Sequence, residues 1–294
     1  MAGRRSPPTR PSVLAIFGPT ASGKSAVAEA ITAQIPGEIV SADSMQLYRG
    51  LPILTNQGAG RLVGIWPLDR QGTVAEYQEL AHAEIDGLLA EGRTPIVVGG
   101  SGLYFQAALV ELAVPPVVQE ADRAEWEELY DSVGGELAHA LLRERDPRAA
   151  AKVHPNDRRR IVRALELWQA GSTLVPAESR LWTDETRHPT TIVGLEVPPD
   201  LLASRIRDRT REMFERGVEE EARGVVGVVP QVLGLEAVRA LPREQAEEEI
   251  VAATRSLASY QRKWMRRIPG VVMVDASRPV DEVADAILEV ARAR

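Results

Sequence analysis

The fold of this chain is decided by the sequence VLAIFGPTASGKS, residues Val13–Ser25. Its first five residues are all apolar, which predicts a buried strand, and Gly18–Ser25 matches the pattern G-x-x-x-x-G-K-[ST] completely. Apolar residues then recur at helical spacing, at Ala26, Val27, Ala30 and Ile31. A glycine-rich loop between a strand and a helix predicts a binding site for a di- or triphosphate.

The residue types in this loop suit an anion. Backbone N–H groups, the positive end of the helix dipole and the Lys24 ammonium can converge on phosphate oxygens, and the Ser25 hydroxyl can ligate Mg²⁺. We expect the phosphate to be held by Gly18, Thr20, Ala21, Ser22, Gly23, Lys24 and Ser25. The loop does not identify the phosphate compound, and a nucleoside triphosphate such as ATP is the first expectation for this pattern.

Strands and helices alternate along the rest of the chain. Apolar runs predict strands at Ile39–Val40, Pro95–Val98, Thr191–Val197 and Val271–Val274. This alternation predicts an α/β fold, with a P-loop NTPase-like parallel sheet flanked by helices. Ligands of such sheets bind beyond the carboxyl ends of the strands, where the phosphate loop lies.

Three long helices are predicted between these strands. The first begins with a capping box formed by Thr73 and Glu76, and the apolar residues that share its face are Val74, Tyr77, Leu80, Ile85 and Leu88. The second runs from Pro199 to about Ala222, and the third runs from Glu244 to Ile268.

Between Val117 and Thr183 the strand pattern gives way to helical segments alone. We therefore predict an inserted helical subdomain over 117–183, with the core formed by 12–116 and 184–294. Residues 1–11 are basic and rich in proline, which predicts a disordered tail.

Composition excludes several classes of protein. The 294 residues are 44% apolar and 26% charged, as in globular proteins. The absence of cysteine excludes a disulfide scaffold, a thiolate zinc site and a cysteine nucleophile. No stretch is long and apolar enough to span a bilayer, so we expect no membrane partner and a cytoplasmic location.

The net charge of −7 argues against a protein that coats nucleic acid through bulk charge. The positive charges are nevertheless clustered, which suits local phosphate contacts as well as solvated helix faces. The three clusters are Arg158, Arg159, Arg160 and Arg163; Arg205, Arg207, Arg209 and Arg211; and Arg255, Arg262, Lys263, Arg266 and Arg267.

Asp43 follows the second apolar run, so in a parallel sheet it should face the same crevice as the phosphate loop. Three roles are open to its carboxylate. It can ligate Mg²⁺ through water, it can accept a proton from a nucleophile, or it can cap its own loop.

Four motifs together resemble the tRNA dimethylallyltransferase family, also called tRNA isopentenyltransferases. They are the phosphate loop Gly18–Ser25, the segment Ser41–Gly50, the segment Val98–Tyr104, and His154–Asp157 with Arg160–Glu166. Their order and spacing match the family, and the resemblance extends from Val13 to Arg267.

The resemblance implies a reaction. The loop would hold the diphosphate of dimethylallyl diphosphate rather than ATP, and the acceptor would be the N6 amine of an adenosine beside the anticodon of tRNA. Lys24, Asp43 and Arg209 would be catalytic: Asp43 would be the base, and Arg209 would hold the diphosphate with Lys24 and Mg²⁺. The helical insertion would clasp the anticodon stem-loop, and we expect the enzyme to be a monomer.

The resemblance also implies a set of tRNA contacts, which are Asp43, Ser44, Met45, Gln46, Ser101, Arg159, Arg160, Ile161, Val162 and Arg163. The chain departs from the family pattern in three places. Leu233–Ala237 reads Leu-Gly-Leu-Glu-Ala in place of Ile-Gly-Tyr-Lys-Glu. Leu54–Gln57 and a shortened 58–69 replace a Gly-Thr-Ala-Lys element and a His-His segment, and Ala258–Gln261 reads Ala-Ser-Tyr-Gln in place of Ala-Lys-Arg-Gln. These changes affect the expected tRNA contacts and leave the donor site intact.

Three other functions share parts of this pattern. A transferase that prenylates free adenine nucleotides would have the same donor site, a small-molecule kinase would have the same phosphate loop, and a non-catalytic RNA-binding module would have the arginine clusters. The insertion and the arginines at 158–163 favour tRNA over a free nucleotide.

Overall fold

The computed structural model describes residues 12–114, 120–175, 183–227 and 231–294. The predicted tail at 1–11 lies outside them. A five-stranded parallel sheet has the order β2-β3-β1-β4-β5 and is formed by β1 (Val13–Phe17), β2 (Gly37–Ser41), β3 (Thr94–Gly99), β4 (Thr190–Glu196) and β5 (Val272–Asp275). The predicted α/β fold with a parallel sheet is confirmed.

Helices follow the strands and flank the sheet. They are α1 (Lys24–Thr32), α2 (Val74–Ala90), α3 (Gly102–Leu109), α8 (Pro199–Glu215), α9 (Val218–Gly224), α10 (Leu235–Ala240), α11 (Arg243–Met265) and α12 (Val280–Arg292). The capping box of α2 forms as predicted, since the Thr73 side chain accepts from the Glu76 backbone N–H and the Glu76 carboxylate accepts from that of Thr73.

The central strand β1 is buried on both faces, as expected of a strand inside a parallel sheet. Leu14 and Ile16 pack with apolar residues of α1, α8 and α12. Phe17 points the opposite way and makes an edge-to-face contact with Phe105 of α3, with ring centroids 5.0 Å apart. Helices therefore cover both faces and leave the carboxyl edge of the sheet open to a ligand.

Strand register brings three loops to that edge. Phe17 is aligned with Gly99, and Ser41 is aligned with Val98, so β1, β2 and β3 end at nearly the same level. The segments that follow them are the phosphate loop, the Asp43 segment and the start of α3.

The described residues divide into two compact units. Those up to 111 and from 183 onward form the first, and those from 112 to 175 form the second. The second unit, which the predicted insertion overlaps, contains α4 (Glu120–Val133), α5 (Gly135–Arg145), α6 (Pro147–Ala150) and α7 (Arg158–Gln169). Its core includes Leu142, Ile161 and Leu165.

Three details differ from the sequence prediction. The helix predicted over 199–222 is two helices, because Gly217 adopts φ 89° between Glu215 and Val218. Leu80 is 39% exposed although its spacing predicted a buried position. The terminal helix α12 was not predicted. None of the helices in the described ranges is long and apolar enough to cross a membrane.

Candidate active site

The phosphate loop has the backbone shape of an anion site. Ala21 and Gly23 adopt φ values of 61° and 91°, a left-handed conformation that turns successive N–H groups toward one point. The hydroxyl of Ser22 is buried and has no hydrogen-bond partner among the described residues. A buried, unpaired donor inside such a loop is suited to a phosphate oxygen.

Lys24 is the first residue of α1, and its Nζ donates to the Pro19 carbonyl at 2.8 Å. Withdrawal from water lowers the pKa of Lys24 from 10.5 to about 8; the Asp43 carboxylate opposes this shift and the Arg209 guanidinium adds to it. Lys24, Asp43 and Arg209 are therefore electrostatic neighbours. The sequence predicted this proximity for Asp43 and the phosphate loop, and the resemblance implied it for Arg209.

Thr20 joins the loop to two distant helices. Its hydroxyl accepts from Arg209 Nη1 of α8 at 2.7 Å, and its backbone N–H donates to Gln261 Oε1 of α11 at 2.7 Å. Burial lowers the pKa of Arg209, and the negative charge of Asp43 acts in the opposite direction. The arrangement holds a half-buried guanidinium beside the loop, and no described carboxylate forms a salt bridge with it.

Asp43 lies directly beyond β2 and lines a pocket with Thr20 and Arg209. Its Oδ1 accepts from the Met45 N–H at 3.0 Å, so the loop-capping role does exist. Its other oxygen makes no hydrogen bond within the described part of the chain. One oxygen thus fixes the carboxylate, and the second is available to a ligand.

Two glycines allow these elements to meet. A Cβ on Gly99 would lie 2.3 Å from the Ala42 carbonyl oxygen. A Cβ on Gly100 would lie 2.9 Å from the Gly18 carbonyl oxygen and 2.5 Å from Gln261 Nε2. Gly99 and Gly100, in the segment Val98–Tyr104, are therefore required because the backbone there closely approaches the backbones of Ala42 and Gly18.

The pocket is a cleft that opens to solvent. Its polar side is formed by Thr20, Asp43, Arg209, Thr254 and Gln261. Most of its remaining wall is apolar, formed by Met45, Leu54, Ile206, Met213, Val232, Leu233, Ile250 and Leu257. A cationic end beside a hydrocarbon wall suits a ligand that joins an anionic group to a small apolar one.

The structure brings Ser44 and Ser101 together. The Ser44 backbone N–H donates to Ser101 Oγ at 3.3 Å, and their hydroxyl oxygens are 3.1 Å apart. The Gln46 amide is already engaged, since its oxygen accepts from Ser41 Oγ and its nitrogen donates to the Asn56 carbonyl. Of the predicted tRNA contacts in the first unit, Met45 lines the pocket beside Asp43.

The remaining predicted tRNA contacts lie on α7, in the second unit. Ile161 and Val162 are buried there, with exposures of 0% and 2%, so they present no side chain to a ligand. Arg159 is exposed and has no ion pair among the described residues, and Arg160 is exposed beside Asp157. Arg163 forms an ion pair of 3.0 Å with the buried Glu166, which gives it a structural role.

Sequence reasoning missed Glu221 of α9. Its carboxylate accepts from the backbone N–H groups of Ile53 and Leu54 at 2.9 to 3.1 Å, and burial raises the pKa of Glu221. Leu54 and Thr55 line the pocket, so Glu221 holds part of its wall in place. A partner 168 residues away gives no local sequence signal.

The Ser25 hydroxyl is chemically suited to be the Mg²⁺ ligand that the sequence predicts. It is a hard oxygen at the start of α1, and it makes no hydrogen bond to any described residue. Across the described ranges, no group of three or more His, Asp or Glu residues forms a metal site. Mg²⁺ at this loop would therefore be held by Ser25 together with phosphate oxygens of the ligand, as is usual for this ion.

The lowered pKa of Lys24 predicts proton uptake on ligand binding. At pH 8 Lys24 is neutral in about half of the molecules. A bound pyrophosphate restores its charge, so binding should take up roughly half a proton per molecule. Calorimetry in two buffers of different ionisation enthalpy measures this uptake. The Lys24→Arg variant keeps its charge and should lack the extra uptake; equal uptake by both proteins would contradict the assignment.

Removal of the Glu221 carboxylate should loosen the pocket wall. In Glu221→Ala, amide exchange at Ile53 and Leu54 should become about 30-fold faster, because hydrogen bonds to a charged acceptor contribute about 2 kcal/mol. Hydrogen–deuterium exchange measures this change. Glu220→Ala, at an exposed neighbour that forms only a 3.8 Å ion pair with Arg223, is the control and should leave both amides protected.

Comparison with known proteins agrees with the motifs. A family model described as IPP transferase matches residues 46–268. A tRNA dimethylallyltransferase of Rhodococcus jostii is 36% identical over 308 residues, covering 95% of this chain and 96% of that protein. Another from Salinispora arenicola is 38% identical, covering 94% of this chain and 85% of that protein.

Solved structures agree with the fold. The crystal structure of a tRNA isopentenylpyrophosphate transferase from Bacillus halodurans matches with a TM-score of 0.67 and 28% identity, covering 96% of this chain and 97% of that one. A eukaryotic dimethylallyltransferase acting on tRNA matches with a TM-score of 0.71 and 24% identity, covering 90% and 74%, and supports the fold alone. The family match spans most of the chain and its relatives align over nearly all of it, so the resemblance is confirmed: the chain belongs to the IPP transferase family.

Proposed function

We propose that this enzyme transfers the dimethylallyl group of dimethylallyl diphosphate to the N6 amine of an adenosine next to the anticodon in tRNA, with release of diphosphate. The observation that supports this most directly is the pocket in which Asp43, Arg209 and the phosphate loop meet an apolar wall. The relatives named tRNA dimethylallyltransferase support the reaction class.

The donor would lie with its diphosphate on the loop. Cleavage of its allylic C–O bond leaves negative charge on the diphosphate. That charge would be stabilised by Lys24, Arg209, the Ser22 hydroxyl and the loop N–H groups. Mg²⁺ bound to Ser25 and the phosphates would supply further positive charge to the leaving group. The dimethylallyl group would lie against the apolar wall.

Asp43 would complete the transfer at the acceptor. A new bond forms between the N6 nitrogen and the allylic carbon, and the amine proton passes to the carboxylate. The oxygen that does not cap the loop is the one available for this step. The apolar wall favours a prenyl donor over the ribose of a nucleotide, which argues against the kinase alternative.

We propose that tRNA binds through both units. In the first, Asp43 to Gln46 and Ser101 would contact the target nucleotide; in the second, Arg159 and Arg160 would contact phosphates, and the helical unit would clasp the anticodon stem-loop. We also propose that the enzyme acts as a monomer in the cytoplasm, where its tRNA substrate is available.

The reaction predicts incorporation of label from radioactive dimethylallyl diphosphate into unmodified tRNA. Asp43→Asn should lower kcat by about 10²- to 10⁴-fold, because general-base catalysis contributes that much. Asp285→Asn, at an exposed position on α12, is the matched control and should retain full activity. Label in AMP but not in RNA would favour the free-nucleotide alternative, and phosphoryl transfer from ATP would favour the kinase.

Neutralising Arg159 and Arg160 together should weaken tRNA binding. Each lost phosphate contact should reduce the slope of log K against log salt concentration by about 0.7 to 0.9. Filter binding at several salt concentrations measures the slope. Arg292→Ala on α12 removes an exposed arginine of the same type, and its slope should equal that of the parent; an unchanged slope in the double variant would place the RNA elsewhere.

A further inference from the structure

The second half of α11 is a positive surface on an acidic protein. Residues 250–274 contain five cations and no Asp or Glu, whereas the whole chain carries a net charge of −7. Arg255, Lys263 and Arg266 are exposed and form no ion pair with any described residue. Exposed cations that lack an acidic partner are suited to an external polyanion.

An aromatic side chain stands within this positive segment. Tyr260 is 54% exposed, and its hydroxyl makes no hydrogen bond within the described ranges. Its ring meets Trp264 edge to face, with centroids 6.2 Å apart. Trp264 in turn packs on Gly102, where a Cβ would lie 2.0 Å from the indole. The tyrosine ring is therefore held by an anchored indole while one of its surfaces faces solvent.

The exposed ring adjoins the mouth of the pocket. Leu257 and Gln261 line the pocket, and Leu257 is 38% exposed, so it lies at the rim. Tyr260 is three residues from Leu257 and adjacent to Gln261, within one turn of the same helix. A nucleotide next to one inserted in the pocket would be within reach of this ring.

We propose that Tyr260 is a stacking platform for the base of a nucleotide adjacent to the target adenosine. The proposal rests on the proposed function, because it assigns a role in binding the same RNA. Lys263 follows Tyr260 by three residues, on the same side of α11. Its charge is placed to contact a phosphate beside the stacked base.

The chemistry of this surface selects an unpaired nucleotide. A target adenosine must leave its stack to reach the pocket, which exposes the faces of its neighbours. An exposed aromatic ring between cations binds such a base through stacking and binds its backbone through charge. The segment 250–274 offers no carboxylate that could pair with basic side chains of a protein partner, so its chemistry favours RNA.

The test compares Tyr260→Ala and Tyr260→Phe in binding to an anticodon stem-loop. Stacking on an aromatic ring should make the Ala variant bind roughly 5- to 150-fold more weakly, whereas Phe should bind within about twofold of the parent. The same measurements are made on stem-loops with an abasic site on either side of the target adenosine. At one of these sites the loss caused by Tyr260→Ala should disappear, because no base remains to stack.

A direct readout uses 2-aminopurine at that neighbouring position. Its fluorescence should fall on binding to the parent and to Tyr260→Phe, and should fall much less with Tyr260→Ala. Lys263→Ala is the matched control on the same helix: it should weaken binding to intact and abasic RNA alike and should reduce the salt slope. Affinity for dimethylallyl diphosphate should not change in Tyr260→Ala.

Two results would contradict the proposal that Tyr260 stacks on a base. One is equal RNA binding by the parent and Tyr260→Ala; the other is a loss that persists on both abasic RNAs, which would indicate a structural role. Failure of the proposed function looks different, because the parent itself would then transfer no prenyl group to tRNA. If the parent modifies tRNA normally and the Tyr260→Ala variant binds RNA as tightly as the parent, the stacking role of Tyr260 is wrong and the proposed function stands.

Discussion

The site depends on two half-buried cations, Lys24 and Arg209, held beside the Asp43 carboxylate. Lys24 and Arg209 both lose hydration, and the loss lowers the pKa of each, while Asp43 offsets part of that cost. Neither cation forms a salt bridge with a described acidic residue. The positive charge left uncompensated is matched by an anionic ligand, so a bound diphosphate would relieve an electrostatic imbalance built into the protein.

The hydrogen bonds of Thr20 keep this arrangement in place. One threonine accepts from Arg209 and donates to Gln261, so α8 and α11 are both fixed to the phosphate loop. The guanidinium is thereby oriented before any ligand arrives, and electrostatic stabilisation of a leaving group benefits from such preorganisation. The same Gln261 contact places α11, with its pocket-lining and exposed faces, against the ends of the strands.

Local signals made the first strand, the phosphate loop and the capping box predictable, since each depends on residues close in sequence. The register of parallel strands then brought Asp43 to the loop, as the fold class implied. The hydrogen bonds of Gln261 and Glu221 could not be predicted from local sequence, because their partners are 241 and 168 residues away. The family motif on α7 likewise predicted that a whole segment contacts tRNA. Successive residues of a helix point in different directions, so Ile161 is buried while Arg159 is exposed.

The departure from the family pattern at 54–57 has a structural counterpart. Glu221 binds the backbone N–H groups of this turn, and Thr55 Oγ1 donates to the Leu51 carbonyl, so the turn is fixed without a lysine side chain of its own. Leu54 consequently contributes an apolar contact to the pocket wall. Positive charge that a lysine would bring to this side of the pocket is absent from the turn, whereas the acid-free half of α11 supplies positive charge close to the pocket rim. Of these two segments, α11 therefore carries the positive charge beside the pocket, and the turn at 54–57 forms part of its hydrocarbon wall.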